Sequence, residues 1–131
     1  LKKTALLNQP LSCVIAGLGH MDRLVIADAG LPIPEARQRI DLAVKPGMPP
    51  LIDVLRTVLD EMQVESAILA YEMAVQSPPM HTKIQTLLAD IPVEMVSHEQ
   101  FKMETATARA IVRTGEFTPY ANVILVAGVV F

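Results

Sequence analysis

Six short apolar runs, each of strand length, alternate with stretches whose apolar residues recur at helical spacing, and that alternation leaves few folds open to this chain. The runs are Leu24–Ala27, Arg39–Val44, Val64–Tyr71, Val93–Val96, Ala110–Arg113 and Asn122–Val130. Between them, Leu51, Val54, Leu55, Val58, Leu59 and Met62 mark one face of a helix whose other face carries Asp53, Arg56 and Asp60. Asn8 before Pro10 predicts a helix over 10–18 closed by Gly19, and Ser77-Pro78-Pro79 caps another to about Ala89. Ser97 with Gln100 three residues on is a capping-box pattern that sets His98 at the first helical position. The Val64–Tyr71 run cannot be told from a helix by composition alone. Strands alternating with helices predict an α/β fold, a three-layer α/β/α single domain with a central mixed sheet.

A length of 131 residues suits one domain with a real core. The 51% hydrophobic content, with only 4% aromatic residues, is more than a monomer of this size easily hides, so a homo-oligomer is expected. Net charge is −3 and the eleven Lys and Arg are scattered, which argues against nucleic acid as a partner. No apolar run approaches the roughly 18 residues of a membrane span, so no membrane partner is expected. The single cysteine, Cys13, has apolar neighbours and reads as a small buried residue, in keeping with a reducing cytoplasm. Lys2-Lys3 ahead of leucines resembles the start of a signal peptide, but Asn8, Gln9 and Pro10 interrupt it.

The candidates for chemistry begin with the three histidines. His20 lies between Gly19 and Met21-Asp22-Arg23, outside any apolar stripe, and is either a functional group or an ordinary loop histidine. His98 directly follows a strand, where open α/β sheets bind ligands; the alternative is that it merely starts a helix. His81, near two prolines, is expected at the surface. Asp28 ends a buried strand in the Gly/Pro loop of Gly30, Pro32 and Pro34. Metal-ligand spacings, a Gly-x-Gly-x-x-Gly, a P-loop and a nucleophile elbow are all missing, so neither a dedicated metal site nor a bound nucleotide is expected. What remains is hydrogen-bonding and proton-transfer chemistry from His20, Asp28, His98, Lys102, Tyr120 and Asn122. That set suits a polyhydroxylated ligand.

Leu18-Gly19-His20, Asp28-Ala29-Gly30-Leu31-Pro32, Ser97-His98-Glu99-Gln100-Phe101-Lys102 and Arg113-Thr114-Gly115-Glu116-Phe117-Thr118-Pro119-Tyr120-Ala121-Asn122 together resemble the D-ribose pyranase family. These are small sugar mutarotases of ribose utilisation, in a superfamily that includes a fucose mutarotase. Leu7-Asn8, Ile40-Asp41, Glu61-Met62 and the last strand extend the likeness over nearly the whole chain. The resemblance implies that His20 is the proton donor and that Asp28, His98, Tyr120 and Asn122 hold D-ribose, with Lys102 a further contact. It also implies a cytoplasmic enzyme without a cofactor, built as pentameric rings paired into a decamer. A mutarotase for another sugar, such as fucose, and a non-catalytic sugar-binding accessory are the alternatives.

One tension follows from spacing. Fully extended, His20 and Asp28 stand roughly 26 Å apart at about 3.3 Å per residue, too far to share one monosaccharide. Either the loop after His20 folds back along the strand, or the two residues meet across a subunit boundary. Tyr120 and Asn122 precede a strand whereas Asp28 and His98 follow one, so an antiparallel strand or a neighbouring subunit is needed to gather them.

Overall fold

All six apolar runs become strands of one sheet in the computed structural model, which describes residues Leu1–Phe131. In chain order the elements are α1 (Gln9–Ala16), β1 (Arg23–Ala27), β2 (Gln38–Asp41), α2 (Leu51–Leu59), β3 (Val64–Ala70), α3 (Tyr71–Gln76) and α4 (Pro78–Leu88). There follow β4 (Val93–Val96), α5 (His98–Glu104), a 3-10 turn at Thr105–Thr107, β5 (Ala110–Arg113) and β6 (Val123–Ala127). The strand order is β2-β5-β1-β6-β3-β4. β5 pairs in parallel with β2 and β1, and β4 with β3, while β6 runs antiparallel between β1 and β3.

That single reversed strand decides where the loops go. The ends of β1, β3, β4 and β5 and the start of β6 all emerge at one edge of the sheet, as the positions of Asp28, His98, Tyr120 and Asn122 required. The start of β1, the start of β3 and the end of β6 emerge at the other.

Side chains alternate along the strands and divide the interior in two. Leu24, Ile26, Leu69, Val112 and Leu125 face a large core closed by Leu11 of α1, Leu51 and Leu55 of α2 and Ile84 and Leu88 of α4. Val25, Ala27, Ile68, Ile111 and Ile124 face a much smaller core closed by Leu31 and by Phe101 of α5. The three layers are therefore unequal, and the second face of the sheet rests on one short helix and a loop.

Several element ends differ from the sequence expectation for local reasons. Helix α1 stops at Gly17, not Gly19, where the Gly17 N–H closes onto the Cys13 and Val14 carbonyls. Cys13 is exposed, since only Leu11 of α1 is fully buried, so its apolar neighbours misread its side. Strand β2 ends at Asp41, whose Oδ1 accepts the Ala43 N–H at 3.0 Å and turns the chain away. The Val64–Tyr71 ambiguity resolves as strand up to Ala70, and a separate helix starts at Tyr71 without any side-chain cap to announce it.

Candidate active site

The two-residue partnership at the centre of the first edge is Asp28 with Asn122. Asn122 is fully buried. Its Oδ1 accepts the Asp28 backbone N–H at 2.8 Å, and its Nδ2 donates to Asp28 Oδ2 at 2.9 Å. Asp28 Oδ1 takes the Gly30 N–H at 2.9 Å. An ionised carboxylate offers about four acceptor positions, so roughly half of Asp28's capacity stays open toward the pocket.

The walls come from the loop after β5. The Thr114 backbone N–H and hydroxyl both donate to the Ala27 carbonyl, at 3.0 and 2.7 Å, and the Ala29 N–H donates to Glu116 O at 2.8 Å, zipping this loop to the one after β1. Gly115 is required there, because a Cβ would fall 2.4 Å from the Met48 carbonyl oxygen. Glu116 is spent on structure: it caps the Leu51 N–H of α2 and accepts from the Thr118 N–H and hydroxyl. Arg113 donates to the Ala29 carbonyl at 3.0 Å and pairs with Asp41 at 3.2 Å. Asp28, Gly30, Arg113, Phe117 and Thr118 line an open pocket of ≈ 320 Å³, the size range of small-molecule sites.

His98 and Tyr120 form the adjoining pair. Their rings meet edge-on with centroids 5.0 Å apart, and His98 stacks on Phe101 at 6.4 Å. Glu72 fixes the start of α5 by accepting the His98 backbone N–H at 2.9 Å. The Nδ1 of His98 is buried and has no hydrogen-bond partner. Tyr120 has φ 62°, a left-handed conformation that is costly for an aromatic residue and typical of ligand clamps. The Asn122 N–H bonds to the Tyr120 carbonyl at 2.9 Å, so the two pairs share one turn. Lys102 is turned to Glu99, 2.6 Å away on the helix surface, and is not drawn into this group.

His20 stands at the opposite edge. Strand β1 separates it from Asp28, and its five residues alone span about 17 Å. The loop does not fold back: the Met21 N–H donates to the Ala127 carbonyl at 2.8 Å, fastening His20 beside the end of β6. There His20 Nε2 lies 2.6 Å from Glu65 Oε2. Within one chain His20 and Asp28 therefore do not meet. His81, expected at the surface, is half-buried and accepts from Gln85 Nε2 at 3.3 Å.

The His20 loop is held by Asp22. Its Oδ2 accepts the Gly19 N–H at 2.8 Å and its Oδ1 meets Arg109 Nε at 3.0 Å. The Gly19 N–H, then Arg109, hold its carboxyl below the ordinary value of 3.8. A carboxyl depressed on folding adds stability that is present above its unfolded value and is lost as pH falls through the folded one. Asp22→Asn is accordingly expected to melt earlier than the wild type at neutral pH, with the gap closing below about pH 4. Melting curves across that window check this, and a gap unchanged into acid contradicts it.

Glu65, Glu72 and Arg113 escaped the reading of the sequence as site residues. Each is an isolated charge in a strand or helix pattern, and only the fold shows which loop it faces.

A mixed α/β sheet with a small polar pocket at converging strand ends defines a small-ligand-binding α/β domain. The chain belongs to the RbsD / FucU transport protein family, whose model matches residues 1–130. It is 57% identical to the D-ribose pyranase of Chloroflexus aggregans and 56% identical to that of Symbiobacterium thermophilum, each alignment spanning all of both chains. Its fold is similar to Bacillus subtilis RbsD complexed with D-ribose, with a TM-score of 0.97 and 46% identity over the whole of both chains. The Streptococcus pneumoniae fucose mutarotase in complex with L-fucose shares the fold, at a TM-score of 0.84 and 23% identity over both whole chains.

Proposed function

We propose that this protein is a D-ribose pyranase, an isomerase that interconverts β-D-ribopyranose and β-D-ribofuranose without a cofactor. The observation that carries the reading is the Asp28–Asn122 pair: a buried amide pins a carboxylate whose remaining acceptors face a monosaccharide-sized pocket. Relatives that bear the pyranase name align with the chain from end to end.

The chemistry needs only proton transfer. Ring opening takes the proton from the anomeric hydroxyl and gives one to the ring oxygen, leaving the aldehyde. After a bond rotation the C4 hydroxyl attacks C1, loses its proton, and the carbonyl oxygen regains one. His20 is the proton donor to the ring oxygen in this scheme. Asp28, held in place by the fully buried Asn122, binds hydroxyls, His98 binds another, and Tyr120 offers a ring face with a polar tip. Lys102 joins them on releasing Glu99.

Because His20 and Asp28 occupy opposite edges of the sheet, the working site is assembled between subunits, His20 of one chain reaching the pocket of the next. Apolar surface at both edges supports this. Phe117 is 67% exposed beside the pocket, while Met21, Val130 and Phe131 are exposed around His20. Such a head-to-tail contact closes into a ring when the rotation between neighbours permits, as pentamers paired into a decamer require. No helix is long and apolar enough to cross a membrane, and a cytoplasmic site of action fits sugar catabolism.

Saturation-difference or exchange NMR on D-ribose tests the activity. The added protein is expected to speed pyranose–furanose exchange above the buffer rate; an unchanged rate overturns the proposal. L-fucose run in parallel tests the other mutarotase reading.

A further inference from the structure

We propose that Glu65 is a positioning residue for the reaction: its carboxylate holds the Nε2–H of His20, which leaves Nδ1 as the nitrogen that exchanges protons with the sugar. The inference rests on the reading of His20 as proton donor and adds the group that orients it.

The geometry at this edge is built for the contact. β3 pairs Val64 with Ala127 and Ser66 with Val126, so Glu65 is an extra residue against one step of β6. Such a bulge re-aims the side chain it carries. Gly128 leaves room for it, since a Cβ there would lie 3.1 Å from the Cβ of Glu65. The His20 loop is fastened to Ala127, the residue next to Gly128. Met21 donates to the Ala127 carbonyl, the Ala127 N–H donates to Asp22 O, and the Gly128 N–H donates to Gln63 O beside the bulge, all at 2.8–2.9 Å. Histidine and carboxylate are thus set by one rigid strand end, and they meet at 2.6 Å.

An ionised carboxylate only accepts hydrogen bonds, so Nε2 must carry the proton in this contact. His20 and Glu65 side chains are 53% and 49% exposed, and ion pairs that open to water contribute little to stability. What the contact does is fix the tautomer and the ring plane. Nδ1 then accepts a proton from one hydroxyl and returns it to the ring oxygen while the ring stays in place.

Nitrogen-detected NMR of His20 in the assembled wild-type protein is expected to show the Nε2–H tautomer as the neutral form. A dominant Nδ1–H tautomer overturns the proposal, even if no Glu65 variant folds. Glu65→Ala is expected to mix the tautomers and to lower kcat by about 10- to 100-fold, with KM within about threefold and an unchanged melting temperature. Glu65→Gln, which keeps an acceptor but also has a donor, should fall between it and the wild type. If Glu65→Ala keeps both kcat and tautomer while His20→Ala is inactive, the proposal fails and the role of His20 stands. If His20→Ala itself keeps the wild-type rate, the donor reading fails and takes this proposal with it.

Discussion

Replacing His20 by alanine is expected to cut the acceleration of pyranose–furanose exchange by about 10²–10⁴-fold, the usual worth of a positioned general acid–base group. Sugar affinity should change little, because the groups proposed to hold the hydroxyls, Asp28, His98 and Tyr120, are left intact by this change. Equilibrium binding of D-ribose by titration calorimetry, beside exchange NMR, separates the two effects. The folded state should be nearly unaffected, since His20 is half-exposed and its one side-chain partner, Glu65, is half-exposed too. A His20→Ala protein that binds ribose and turns it over at the wild-type rate would remove His20 from the mechanism.

The second large effect is on stability. Phe101→Ala should destabilise the protein by about 3–5 kcal/mol, the range for truncating a buried aromatic residue. Phe101 is fully buried, and it is the one large side chain that α5 contributes to the thin core under the second face of the sheet. The opposite face has four helices to relax into a gap; this one has a short helix and the Leu31 loop. The same change removes the surface on which the His98 ring stacks, so sugar affinity should fall even in the fraction that stays folded. Denaturant unfolding measures the first effect and ribose titration of the folded variant the second. A loss under about 1 kcal/mol would mean that the thin layer is not sustained by this side chain.

The sequence made the sheet legible because strand-length apolar runs are hard to place elsewhere, and the two capped helix starts were equally plain. Asn8 accepts the Leu11 N–H and Ser97 the Gln100 N–H, as their spacing implied. The Gln100 side chain, however, turns to Glu104 and leaves the box half-formed, and Ser77 donates to the Pro119 carbonyl and gives α4 no side-chain cap. The order of strands was not legible. Nothing local to Val123–Ala127 says that it runs antiparallel between β1 and β3, yet that reversal gathers Asp28 and Asn122. Helix α3 was missed because it abuts β3 with no breaking residue, and Cys13 was misjudged because neighbours in sequence do not share a helix face. Of the candidate site, Asp28, His98, Tyr120 and Asn122 could be picked out as polar groups at strand ends. Their partners could not: Glu65 meets His20 across 45 positions and Asn122 meets Asp28 across 94. The spacing of His20 and Asp28 did show that β1 keeps them apart, and the structure removes the folded-back loop as a way round it.

Co-expression of two inactive variants tests that separation directly. His20→Ala supplies an intact pocket and lacks the donor; Asp28→Ala supplies the donor and lacks the pocket. If neighbouring subunits share each site, random mixing in a ring leaves about a quarter of the junctions with both intact halves. Exchange NMR on the co-expressed assembly should then recover about a quarter of the wild-type rate. A mixed assembly as inactive as either parent would contradict a site built between subunits.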